Sequence, residues 1–475
     1  MNTRIEKDSM GAMAVPADAL YGASTQRAVL NFPVSGRVVP LPIIHAYGII
    51  KWAAARVNHE LGSLPAETAA LIEQAALEVA DGTLDAHFVI DIYQTGSGTS
   101  TNMNVNEVIS NRACQLAGKP FGAKDPVHPN DHVNMGQSSN DTFPTAIHVA
   151  VASELEYTLA PALDALRQSL TKKGTEFHDV LKIGRTHLMD ATPVRLGQEF
   201  DGYARQIEHG VDRAHKAINT LLELPLGGTA VGTGLNRHPD FPARDIALIA
   251  EKTGIPFRET RDHFEAQSAK DALVEASGQL KTIATSLFKI ANDIRWLGSG
   301  PQCAIGEISL PATQPGSSIM PGKVNPVMCE SLMQVCARVI GNDTTVTWCA
   351  AAGSNFELNV MMPALGAALL ESIELLSNST RLFRERCIDG ITANKERCRD
   401  LIEHSLAMVT GLNARIGYDK AAEIARLSAT TGNSVRKLCM DRLDELGISE
   451  AELNEALDPA RMCSPDARSV GGGGG

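Results

Sequence analysis

Residues 268–297 read SAKDALVEASGQLKTIATSLFKIANDIRWL. Within them Leu273, Ala276, Leu280, Ile283, Leu287, Ile290, Ile294 and Leu297 recur at alternating gaps of three and four residues, the seam of a long packed helix. Thirty helical residues reach about 45 Å. Similar apolar spacing runs through 145–171, 194–223, 327–350 and 363–386. Helices this long cannot cover their apolar faces within one small domain. The pattern predicts an all-α fold on a central bundle of long helices whose seams bury one another, within the chain and between chains. Every apolar stripe is read as core.

Outward from the bundle the texture changes. Residues 1–137 mix shorter helical patterns with loops such as KDPVHPND, and strand-like alternation is sparse. Beyond Asn394 short helical patterns are broken by Gly411, Gly417 and Gly432. Three parts follow: an N-terminal domain 1–137, the bundle 138–392 and a small helical domain 393–470. The glycines at 471–475 read as a flexible tail.

The 475 residues are 44% hydrophobic and 21% charged, which suits a globular chain and excludes general disorder. With 43 Lys and Arg against 55 Asp and Glu, the net charge of −12 argues against a nucleic-acid coat or a binder of anionic lipid. A local basic pocket for a small anion stays open. The sequence holds no apolar run long enough to span a membrane, and its start, MNTRIEKDSMG, lacks an apolar stretch. A cytoplasmic location is expected. Nine scattered cysteines without a CxxC pair read as free thiols, and thirteen histidines form no HExxH. Neither a metal nor another cofactor is expected.

Four segments could carry chemistry. The first is PGSSIMPGKVNP, 315–326, whose three prolines and two glycines forbid regular helix. Such a loop can aim backbone N–H groups at an anion, with Ser317, Ser318, Lys323 and Asn325 adding donors. It is not a P-loop, since Val324 follows Gly-Lys. The second is GRTHLMDATP, 184–193, where His187 could move a proton near neutral pH and Glu330, beyond the serine loop, is a possible partner. The third comprises TGSGTSTNMNVN, 95–106, and HPNDHVNMGQSSND, 128–141, which are dense in neutral donors; Asp141 could cap the helix that follows. The fourth, GGTAVGTGLN at 227–236, has the glycine density of a backbone-approach site but no GxGxxG order. Gly-Ser-Gly at 96–98 lacks the strand-to-helix setting of a serine hydrolase elbow.

GSSIMPGKVNP resembles the signature of the aspartase/fumarase superfamily. The blocks TGSGTSTNMN, HPND, GQSSND, GRTHLMDATP, GGTAVGTGLN and SNFELNV are similar to those of class II fumarate hydratases, over nearly the whole chain. Aspartate ammonia-lyases, which share the serine loop, are the nearest alternative. The resemblance implies a homotetramer with active sites shared between subunits and a small dicarboxylate, fumarate or malate, as substrate. It implies Ser317 as catalytic base, with His187, oriented by Glu330, handling water. Lys323, Asn325, Thr99, Ser138, Ser139, Asn140 and Thr186 would grip the carboxylates. Ser97, Gly98, Ser318 and Val324 would line the same site. His128, Pro129, Asn130 and Asp131 match a second dicarboxylate site of the family. Three departures, Met189 for glutamine, Gln302 for arginine and Ala304 for glycine, fall outside these roles.

Overall fold

The computed structural model describes residues 2–465, so the glycine stretch 471–475 lies outside the described residues. Helix dominates, and the strands among the described residues form only two-stranded pairs. The fold is all-α, as the seams predict. The seam at 268–297 becomes one helix, Asp271–Leu297, and its eight seam residues are at most 6% exposed. The stripes at 194–223, 327–350 and 363–386 become Leu196–Thr220, Val327–Gly353 and Met362–Arg386. The stripe at 145–171 is longer than expected and interrupted. Ser139–Glu154 passes through a π-helical turn, Leu155–Leu159, into Ala160–Glu176. Periodicity alone does not reveal such a turn, because it inserts one wider loop without ending the apolar face.

The chain divides into two compact units. One comprises Met1–Ala162, Gly210–Thr285 and Gln334–Asn378. In it, Leu41–Glu60 packs on Ala66–Ala80 so closely that a Cβ on Gly48 would lie 2.4 Å from the Ala80 nitrogen. Ile43, Tyr47, Ile50, Ile72 and Val79 are fully buried there. Each such side chain contributes roughly 1.5–3 kcal/mol of burial free energy. The N-terminal strands Thr3–Asp8 and Gly11–Pro16 pair antiparallel over this unit's first residues.

The other unit comprises Leu163–His209, Ser286–Met333 and Ser379 onward. Its short C-terminal helices, Lys395–His404, Tyr418–Thr431, Val435–Met440 and Glu450–Ala456, enclose a core of Ile402, Leu412, Ile424, Cys439 and Leu453. Ile183, from a strand far earlier in the chain, belongs to that same core. Leu181–Thr186 pairs antiparallel with Met189–Arg195, a hairpin that the sequence reading did not foresee. All nine cysteines are free, and seven are buried. Among the described residues no helix is long and apolar enough to cross a membrane.

Candidate active site

In the first unit, two helices start side by side. Gly98 sits at the N-cap of Thr99–Leu116 with φ 76°, and a Cβ there would lie 2.2 Å from the Phe143 ring. Only glycine meets both demands. Ser138 caps Ser139–Glu154 in a reciprocal box: its hydroxyl accepts a backbone N–H while Asp141 accepts the Ser138 N–H at 2.9 Å. Asp141, expected to cap the helix that follows it, lies instead inside the helix as its third residue, and Ser138 is the cap. A chain of hydroxyls links the two helix starts, Ser97 Oγ to Thr99 Oγ1 at 2.7 Å and Thr99 Oγ1 to Ser139 Oγ at 2.7 Å. Helix N-termini carry unpaired N–H groups and partial positive charge. Together with rotatable hydroxyls they suit a carboxylate. Asn140 joins them and donates its amide to the Ala230 carbonyl at 2.8 Å.

That last contact brings in the glycine block. The Asp141 carboxylate, fully buried, also accepts Gly227 N–H at 3.0 Å and Thr229 N–H at 2.9 Å. Burial pushes its carboxyl above the ordinary range, and these N–H bonds pull the other way. Gln267 donates to the Thr229 carbonyl at 2.9 Å from the other side. The glycines answer to this packing: a Cβ on Gly227 would meet Pro242 at 2.3 Å, and one on Gly228 would meet Gln267 at 1.8 Å.

The asparagine density of 95–106 and 128–141 has a buried cause that the sequence reading missed. Lys51, with no exposure, donates to Asn102 Oδ1 at 3.0 Å, Asn134 Oδ1 at 3.0 Å and Gln137 Oε1 at 2.9 Å. Asn134 also accepts amide N–H groups from Asn102 and Asn106. A buried ammonium must be met by acceptors, and three amide oxygens meet it here. Burial still pulls Lys51 down to about 7.

The HPND block forms a π-helical turn, Pro129–Val133, capped by His128. His128 Nδ1 accepts N–H from Asn130 at 3.3 Å and from Asp131 at 3.1 Å. An accepting Nδ1 leaves the proton on Nε2. Burial lowers the pKa of His128, which favours this neutral form. Asn130 and Asp131 are exposed, while Pro129 is buried.

In the second unit, the serine loop is irregular, as expected. It is closed by Gly316 N–H on the Lys323 carbonyl at 2.9 Å and by the Asn325 amide on the Gly316 carbonyl at 2.7 Å. A Cβ on Gly316 would lie 2.3 Å from that Lys323 oxygen, so the closure needs glycine. Inside the loop Ser317 Oγ accepts two backbone N–H groups, Ile319 at 3.2 Å and Met320 at 3.1 Å. Two N–H donors aimed at one hydroxyl oxygen favour its deprotonated form. Ser318, Lys323 and Val324 are exposed, and Ser317 and Asn325 half-buried. Glu330 lies in the first turn of Val327–Gly353.

Thr186 and His187 stand at the exposed tip of the hairpin. Its two-residue loop is His187–Leu188, with φ of 57° and 60°. These are the angles of the turn that normally takes Asn-Gly. Two non-glycine residues held there cost on the order of 1–3 kcal/mol each. Among the described residues, no group of His, Cys, Asp and Glu could hold a metal.

A family described as Lyase matches residues 11–341, and one described as Fumarase C C-terminus matches residues 408–464. Fumarate hydratase class II of Neisseria meningitidis is 51% identical, over 98% of this chain and 100% of that protein. The Mycobacterium tuberculosis protein of the same description is 52% identical, over 98% of this chain and 97% of its own. A crystal structure of a class II fumarase from Schistosoma mansoni superposes with a TM-score of 0.93 at 39% identity, covering 98% of this chain and 100% of that one.

Proposed function

The chain belongs to the class II fumarate hydratase family of lyases, and from that premise we propose how its residues add water reversibly to fumarate, giving (S)-malate. The observation that carries the assignment of the base is the pair of N–H groups, Ile319 and Met320, on Ser317 Oγ. In the dehydration direction the Ser317 oxygen takes the proton from the carbon beside one carboxylate. The C–H electron pair moves into that carboxylate, making an aci-carboxylate with two negative charges. The hydroxyl on the neighbouring carbon then leaves as water with a proton from His187, and the pair closes the double bond. Hydration runs the same steps backwards.

Fixed dipoles hold the extra charge more tightly in the transition state than they hold the substrate, which lowers the barrier. Lys323, Asn325 and Thr186 serve this role with Ser318, while the linked helix starts at Thr99 and Ser139, with Ser138 and Asn140, hold the other carboxylate. Glu330 orients His187. His128, Asn130 and Asp131 form an accessory dicarboxylate site. The active sites are shared between copies in a homotetramer, and the protein works in the cytoplasm. The three-part division at 137 and 392 belongs to the same proposal; the two compact units do not follow those boundaries.

Purified protein should consume fumarate and yield malate, seen as loss of fumarate absorbance, and should not release ammonia from aspartate. Ser317→Ala should lower kcat by about a thousandfold or more with the circular dichroism spectrum unchanged. Near-normal turnover by that variant would remove Ser317 from the role of base.

A further inference from the structure

His187 is presented by a loop that the local sequence does not favour, so something else must hold the strand that leads to it. That strand, Leu181–Thr186, carries two cations, Lys182 and Arg185, three positions apart. Residues so spaced begin on opposite faces of a strand. Both nevertheless end on one carboxylate. Arg185 grips Glu307 with two nitrogens, at 2.9 and 3.0 Å. Lys182 Nζ reaches the same carboxylate at 3.2 Å and Glu199 at 2.9 Å. Glu307 has no exposure and Lys182 is 1% exposed.

The strand pairing shifts register at this point: Ile183 faces Pro193, but Arg185 faces Asp190, so two residues of the return strand stand opposite Gly184. Such a bulge sharpens the local twist, which lets both cations turn toward one partner. Glu307 is itself fixed by backbone bonds, its N–H to the Leu297 carbonyl and its carbonyl to the Asn394 N–H. Ile183 anchors the strand in the C-terminal core.

We propose that Glu307 is a positioning residue for the reaction: through Arg185 and Lys182 it sets the strand end, opposite the bulge, that aims Thr186 and His187 at the substrate. This rests on the role given above to His187. A fork of two parallel hydrogen bonds fixes direction as well as distance, which a single ammonium contact does not. A misplacement of about 1 Å in a catalytic group can reduce turnover by about a hundredfold.

The test is a double-mutant cycle on the full-length protein, with fumarate hydration as readout. Glu307→Gln keeps the volume but removes the charge. It should lower kcat about 10- to 100-fold and leave KM within about twofold, because His187 acts in the chemical step. In a His187→Asn background the further loss should shrink to about threefold or less, since there is no imidazole left to aim and only Thr186 remains to be displaced. Should Glu307→Gln fail to fold, Arg185→Lys, which keeps the charge and loses the fork, enters the same cycle. An unchanged kcat in folded protein, or an equal loss in both backgrounds, overturns the proposal. Full turnover by His187→Asn alone would instead overturn the reading of His187 on which it rests.

Discussion

Asp141 accepts the Thr229 amide N–H at 2.9 Å from a carboxyl with no solvent exposure, and so binds the helix start at Ser138 to the glycine block. Asp141→Ala would strand the N–H groups of Ser138, Gly227 and Thr229 without a partner. Urea unfolding should show a loss of about 3–5 kcal/mol. Asp141→Asn, which keeps one acceptor oxygen, should lose about half as much.

The hydroxyl chain through Thr99 makes a second prediction. Thr99→Val keeps the shape and removes the link between Ser97 and Ser139. KM for fumarate should rise about tenfold, equivalent to about 1.4 kcal/mol, with kcat within about threefold. An unaltered KM would separate this chain of hydroxyls from substrate binding.

Stability should depend on pH through Lys51. Burial lowers its pKa from 10.5 to about 7. Between those values the unfolded chain binds a proton that the folded chain has released, so this group makes folding more favourable as pH rises through the window. Urea unfolding at about pH 7 and about pH 9 should show the native protein gaining about 2 kcal/mol relative to Lys51→Met. Parallel behaviour of the two proteins would mean that Lys51 titrates as an ordinary lysine.

The hairpin tip invites a stabilising change. Leu188 holds φ 60° and is 61% exposed, so its side chain contributes little packing where it stands. Asparagine tolerates that conformation far better. Leu188→Asn should raise the unfolding free energy by about 0.5–1 kcal/mol, read as a higher denaturation midpoint. A decrease would show that Leu188 has a partner in the assembled protein.

The bundle was legible because its signal is periodic and local. The eight seam residues from Leu273 to Leu297 needed no knowledge of their partners to be recognised, and all proved buried. The Ser317 loop was legible for a similar reason, since proline and glycine forbid helix wherever they cluster. The hairpin was hidden because His187–Leu188 lacks the glycine or asparagine that marks a two-residue turn. Lys51 escaped because the amides that receive it lie 51 to 86 residues away in sequence. Glu307 lies 122 residues from Arg185, and nothing in either neighbourhood announces the other.

Gly227 and Gly228 have their hydrogen-for-methyl restriction imposed by Pro242 and Gln267. A bulkier residue at either place would collide with the protein's own interior before any diacid arrived. Silence at these two sites in a mutational screen would thus be a symptom of broken scaffolding, and the reactive groups nearby would fall quiet as bystanders.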